Sequence, residues 1–232
     1  MSGILSSVRG ADCCFCEDFA HQDRPLLMSR EGFVNKVCKE TEFFAAWPSL
    51  SPVAPAHTLV VPKYHVTSVS QIESRHIGEF MVFLGSVTAL LERSFGNVYL
   101  FEHGIGTGRT GGCGVRHAHL HLVSLSSDAA RHVGGAIRAA YPVKSVRGLP
   151  GLCEDEYRGD SYIMFGPSHG PFVVAPGASV PSQYLRRLVA QAQGLAEWDW
   201  REYFGWNRFT DTFRLLSGRG VETPVELPGS PA

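Results

Sequence analysis

His117-Ala118-His119-Leu120-His121-Leu122-Val123 decides the reading of this chain. Successive strand residues point to opposite faces, so the three imidazoles share one face and Ala118, Leu120 and Leu122 take the other. A row of imidazoles is costly to bury without partners. Three at strict alternation therefore point to chemistry more than to packing. Two chemistries can use the row. In one the imidazoles are metal ligands in a hydrolase. In the other a single imidazole is a nucleophile, and its neighbours fix its tautomer and bind negative oxygens. The segment just upstream, Gly104-Ile105-Gly106-Thr107-Gly108-Arg109-Thr110-Gly111-Gly112-Cys113-Gly114, is dense in glycine. Glycine backbones can turn several N–H groups inward as a nest for an anion, which favours phosphate chemistry.

Working outward, Asn97 to Glu102 reads as a strand leading into the glycine loop, and His57-Thr58-Leu59-Val60-Val61-Pro62 as a β-branched strand that its proline stops. Between them Ile72, Ile77, Phe80, Met81, Phe83, Leu84, Val87, Leu90 and Leu91 recur at helical spacing. Ser70-Gln71-Ile72-Glu73 has the capping-box pattern, and Gly96 is a natural stop. Phe33 to Val37 and Glu42 to Ala46 are short β-like runs, followed by the Pro-rich connection from Trp47 to Pro55. Beyond the row, a helix is predicted over Asp128 to Ala140, strands over Ser161 to Phe165 and Pro171 to Ala175, and a helix from Ser182 to Ala196. The tail after Ser217, rich in Gly and Pro, reads as disordered.

The 232 residues suit one large domain or a small domain with an appendage. Lys plus Arg (21) nearly balances Asp plus Glu (22), so there is no global basic field to hold duplex nucleic acid. No run approaches the ~20 apolar residues of a membrane span. Met1 to Arg9 has neither a basic start nor an apolar core, so a cytoplasmic location is expected. In that compartment six cysteines read as metal ligands or plain thiols rather than bridges. Cys13 and Cys16 have the two-residue spacing of a zinc knuckle and need two more ligands.

The row and the His57 to Val66 strand together resemble the histidine triad superfamily, over roughly residues 13 to 125, including the intervening helix. The resemblance implies an α+β, two-layer fold with a meandering antiparallel sheet. It also implies hydrolysis or transfer of nucleotides through a covalent nucleotidyl-histidine. Carried over, His119 is the nucleophile, His121 contacts the phosphoryl oxygens and His57 supports the cluster. The loop amides, here those of Gly112, Cys113 and Gly114, would stabilise the developing charge. Many members carry a structural zinc completed by the histidine after Pro-Lys and the first of the triad. The matching set is Cys13, Cys16, His65 and His117. Small members pair as dimers, so a homodimer is a further expectation, although the C-terminal extension could cover the pairing surface.

The match departs from the family in places. Ser49 stands where an Asp usually holds the ribose hydroxyls. Glu102-His103 stand where Asn is usual, so either is a candidate to take over substrate contact. The hydroxyl that assists the leaving group just ahead of the triad is missing. Residues 126 to 216 form a C-terminal α/β extension resembling that of larger bacterial members, from which Gln183 and Arg186 could reach substrate phosphate; the alternative is that Tyr184, Leu185 and Leu188 pack this helix on the sheet while its arginines stay solvated. The reading is a core over 1–125 with a zinc clasp, an extension over 126–216 and a tail over 217–232. It makes the protein a nucleotide hydrolase or nucleotidyltransferase acting on a nucleotide or nucleotide conjugate. A metal-dependent hydrolase and a nucleotide-binding protein with lost activity are the alternatives.

Overall fold

The computed structural model describes residues 13–20, 37–106, 114–153 and 155–218. A short helix α1 (Cys14–Ala20) precedes β1 (Lys39–Glu40), β2 (Phe44–Pro48) and β3 (Thr58–Pro62). The long α2 (Ser74–Phe95) then leads to β4 (Val98–Gly104) and β5 (Leu120–Ser124). The chain continues through α3 (Ser127–Ala140), β6 (Lys144–Val146), α4 (Leu149–Leu152), α5 (Asp155–Arg158), β7 (Tyr162–Pro167), β8 (Phe172–Pro176), α6 (Tyr184–Ala192) and α7 (Trp206–Ser217). The strands form one antiparallel sheet in the order β1-β2-β3-β5-β4-β7-β8-β6. The α+β class and meandering antiparallel sheet are as the sequence implies. The segment after β5 adds its strands to the free edge of β4, so one sheet runs through both parts. Among the described residues no helix is long and apolar enough to cross a membrane.

Strand register assigns every side chain to a face. Trp47, Leu59, His121, Phe101, Phe165 and Val173 lie opposite one another across six strands, so all six project to one side. Residues one position along, such as Val60, Leu100, Leu120, Leu122, Met164 and Val174, form the other side and pack under α2 through Phe80, Phe83, Leu84, Val87 and Leu91. The histidine side has two separate apolar clusters. At one end Ala45, Trp47, Leu59 and Val61 pack against Phe15 and the thiols of Cys13 and Cys16. At the other, Phe101, Val123, Ile163 and Phe165 pack against α3 and α6. The histidines occupy the seam between them.

Two boundaries depart from the sequence reading for physical reasons. The capping box is not made: α2 begins at Ser74 with Glu73 as its N-cap, and no side chain caps it. Ser70 instead sits in a 3-10 turn, Val69–Gln71, and its hydroxyl donates to the Tyr157 carbonyl oxygen at 2.9 Å. The extension has recruited the group that would have capped the helix. The second departure is α6, which ends at Ala192 and turns away through Gly194 at φ +69°. The expected runs from 33 to 36 and the tail beyond 218 lie outside the described residues.

Candidate functional site

The histidine row is built by β5 and the residues just before it. Backbone pairing of β5 with β3 begins at Val60↔Leu120, whereas the Ala118 N–H donates to the Val66 carbonyl at 2.7 Å. The row therefore straddles the end of the ladder, which lets its first member turn elsewhere.

His117 turns towards α1. Its Nδ1 lies 3.3 Å from Cys13 Sγ and 3.6 Å from Cys16 Sγ, and His65 Nδ1 lies 3.3 Å from Cys16 Sγ. One ligand atom from each of these four residues lies within 4.8 Å of the others. A tetrahedral zinc with bonds of about 2.3 Å to sulfur and about 2.05 Å to nitrogen would separate S from N by about 3.5 Å. The donor set and its spacing fit that ion. On its other side His117 Nε2–H donates to the Pro62 carbonyl at 2.7 Å, which keeps the lone pair on Nδ1, facing the thiols. Burial holds the His117 pKa down at about 4, with the Pro62 bond opposing and His65 and His119 adding to the shift. A neutral imidazole is the form that binds metal.

The other histidines have their tautomers set in series. The Val53 N–H donates to His57 Nδ1 at 3.1 Å, so the His57 proton sits on Nε2. That Nε2–H donates to His121 Nδ1 at 2.8 Å, and His121 consequently carries its proton on Nε2. Phe101 stacks flat on His121, with 4.3 Å between centroids and 5° between planes, fixing the ring. His119 donates Nδ1–H to the His117 carbonyl at 2.6 Å, so its lone pair is on Nε2. Phe15 presents its edge to both His117 and His119. His57, His119 and His121 all have pKa values pushed below the usual imidazole range. Burial is the largest cause, and the Arg186 charge adds to it in each.

The other candidate residues fall in different places. Ser49 is buried, its Oγ 3.4 Å from Arg186 Nη1, and Arg186 Nη2 donates to the Ser51 carbonyl at 2.6 Å. Arg186, read from sequence as either substrate contact or solvated surface, is only 3% exposed. It also donates from Nε to the Trp198 carbonyl at 3.2 Å. Gln183, at φ 60°, holds the 199–201 turn: its amide donates to Asp199 Oδ1 at 2.8 Å and accepts from the Trp200 N–H at 3.3 Å. His103 shares the histidine face, with Nε2–H donating to the Gly177 carbonyl at 3.1 Å. Glu102 does not share it. Phe101 projects beside His121, so Glu102 projects through to the α2 side, where it accepts from the Val69 N–H at 2.9 Å and from the Tyr162 hydroxyl. Gly112 and Cys113 lie outside the described residues.

Gly114 has φ +99°, and a Cβ there would come within 2.4 Å of Arg201 Nη2. The sequence reading passed over Arg201, Asp199, Phe15 and Phe101. Of these only Phe101 left a signal, since it and His103 share strand parity.

A HIT-domain family description matches residues 34–128. An uncharacterized HIT-like protein of Chlamydia trachomatis is 30% identical over 86 residues, covering 36% of this chain and 75% of that protein. The chain belongs to the HIT-domain family. HitA of Neisseria gonorrhoeae is 26% identical over 115 residues, 48% of this chain and 94% of that one. Among solved structures, a HIT family member from Bacillus subtilis aligns over 50% of this chain and 75% of its own, at 20% identity and a TM-score of 0.40. Membership of the HIT-domain family supports a nucleotide-binding, hydrolase or transferase role in general. The matched region stops at residue 128 and so excludes α6, which brings Arg186 to the site.

Proposed function

We propose that this HIT-domain protein is a nucleotide hydrolase or nucleotidyltransferase acting at the α-phosphorus of a nucleoside phosphate anhydride, ester or phosphoramidate, with His119 as nucleophile. The observation that carries this reading is the His119 Nδ1–H bond to the His117 carbonyl, which leaves the lone pair on Nε2. Such an imidazole attacks phosphorus without first losing a proton. The Nε2–P bond forms as the bond to the leaving group breaks. The ring, now carrying the positive charge, keeps its Nδ1–H on the same carbonyl. His121, with its proton on Nε2, donates to a phosphoryl oxygen, and the Val53–His57 bonds hold that proton there. Water or a phosphate-bearing acceptor then attacks phosphorus, the P–N bond breaks and the imidazole is restored.

Cys13, Cys16, His65 and His117 are the residues that would hold a structural zinc. A closed four-ligand site of this kind contributes folding energy and leaves no position for water. Its part here is mechanical. Fixing His117 fixes the carbonyl that sets the His119 tautomer.

The reading is tested by incubating the protein with a panel of nucleotides and weighing it intact. A mass increment of one nucleotidyl group, mapped to His119 and absent from His119→Ala, is the expected result. Turnover that persists in His119→Ala, or that vanishes with a chelator while no adduct forms, would overturn it.

A further inference from the structure

The connection between β2 and β3 carries the group that starts the tautomer series, the Val53 N–H. That connection is gripped from outside the matched family region. Arg186 of α6 is engaged through all three of its nitrogens. Nη2 donates to the Ser51 carbonyl at 2.6 Å, Nη1 lies 3.4 Å from Ser49 Oγ, and Nε donates to the Trp198 carbonyl at 3.2 Å. Leu50 packs on Phe209 and Phe213 of α7. A Cβ on Gly205 would come within 2.8 Å of Pro52 Cδ, so the chain there lies directly against the proline ring. Pro52 converts this grip into an orientation. Peptide units are planar, so only φ and ψ of Pro52 separate the plane of the Ser51 carbonyl from that of the Val53 N–H. The ring fixes φ at about −65°. With the carbonyl pinned, ψ alone aims the N–H, and Val53 is fully buried among side chains of α3 and α6.

We propose that Arg186 is a positioning residue for the histidine row. By pinning the Ser51 carbonyl it aims the Val53 N–H at His57 Nδ1. That bond keeps the His57 proton on Nε2, where it donates to His121 Nδ1, and so leaves His121 Nε2–H free to meet a phosphoryl oxygen. The kinetic consequence rests on the nucleotidyl-histidine reading; the tautomers do not. In this role Arg186 touches no substrate, and bonds from each of its nitrogens to the protein suit a brace. Its charge works in the same direction. It adds to burial in holding His57 and His121 below the usual imidazole range, and only a neutral imidazole has a tautomer to choose. The histidines all lie within the matched region, residues 34–128, yet the proton placement on two of them is set by a residue of the extension.

The test uses the full chain, with zinc held equal and its histidines isotope-labelled for nitrogen NMR. The comparison is with Arg186→Lys, which keeps the charge but cannot hold Ser49, Ser51 and Trp198 at once. In the wild type His57 and His121 should each be protonated on Nε2 alone. In Arg186→Lys both should become mixtures of tautomers, while His119 keeps its proton on Nδ1. In turnover the variant should lose about fivefold or more in kcat with KM within about twofold, and about twofold or less when added to His57→Ala. A wild type with His57 protonated on Nδ1 overturns the proposal, and that result needs no variant to fold. Unchanged tautomers in Arg186→Lys overturn it too, as does a loss carried by KM or one equal with and without His57. Mixed tautomers in Arg186→Lys beside a wild type that forms no adduct on His119 would keep the brace and discard the nucleotidyl-histidine.

Discussion

Glu102 is the carboxyl whose burial most directly sets a measurable property. It lies fully inside the α2 side of the sheet, and burial raises its pKa from 4.5 to about 7 despite bonds from Tyr162 and Val69 that act the other way. Two of its neighbours stay neutral through this range, since the Tyr162 phenol is held well above its usual pKa and the Cys153 thiol is pushed up to about 11, while any charge on His119 acts to lower the Glu102 pKa. The folded state thus retains a proton that the unfolded chain releases above pH 4.5. Stability from this group is complete below pH 4.5, falls as pH rises and levels off above pH 7. A difference of 2.5 pKa values at 1.36 kcal/mol each makes the loss about 3 kcal/mol. Urea denaturation at pH 5 and pH 8, with zinc held equal, gives the fall in unfolding free energy for the wild type and for Glu102→Gln. The substitution removes the titration, so the fall between pH 5 and pH 8 should be about 2.5 kcal/mol smaller in the variant, all other groups cancelling. Equal falls in the two proteins would refute the reasoning, because Glu102 would then titrate alike folded and unfolded.

Three further outcomes follow from the site. Cys16→Ser should lose metal and thermal stability together, read by elemental analysis and a melting curve on one sample, because Cys16 Sγ faces both His65 and His117. His57→Ala should lower kcat by about 10–100-fold with little change in KM, since the donor to His121 Nδ1 is gone. His57→Gln, whose amide N–H can reach the same atom, should restore part of that loss. Gly114→Ala should cost about 1–3 kcal/mol in denaturant unfolding, because φ +99° is strained for any side chain and the new Cβ would meet Arg201.

What could be read without the structure depended on the range over which a signal acts. The alternation in Ala118 to Val123 was enough to put His119 and His121 on one face, because a period of two is local. Its extent was not. Pairing stops at Leu120, because the chain ahead of it bonds instead to Val66, and this frees His117 to serve the thiols while His119 and His121 stay with the cleft. The α2 helix declared itself through its apolar spacing, yet its start did not, because the fate of the Ser70 hydroxyl was decided by Tyr157, 87 positions away. In both places local propensity lost to a distant partner.

Glu102 and Arg186 show the same division at the site itself. Either member of Glu102-His103 could be assigned to the cleft until the register of β4 against β5 was known, and a slip of one residue exchanges their roles. The observed pairing of Phe101 with His121 sends His103 to the histidine face and Glu102 to the core. For Arg186, helical period alone grouped Tyr184, Leu185 and Leu188 as the packing face and left the arginine outside it. It is buried because the connection through Ser49 and Ser51, 137 and 135 positions away, folds over α6 from the other side. A helix clasped on two faces shows no single apolar stripe. A charged residue in its sequence then reads as solvent-facing until the second clasp is seen, and here that clasp brings the positive charge to the histidine row.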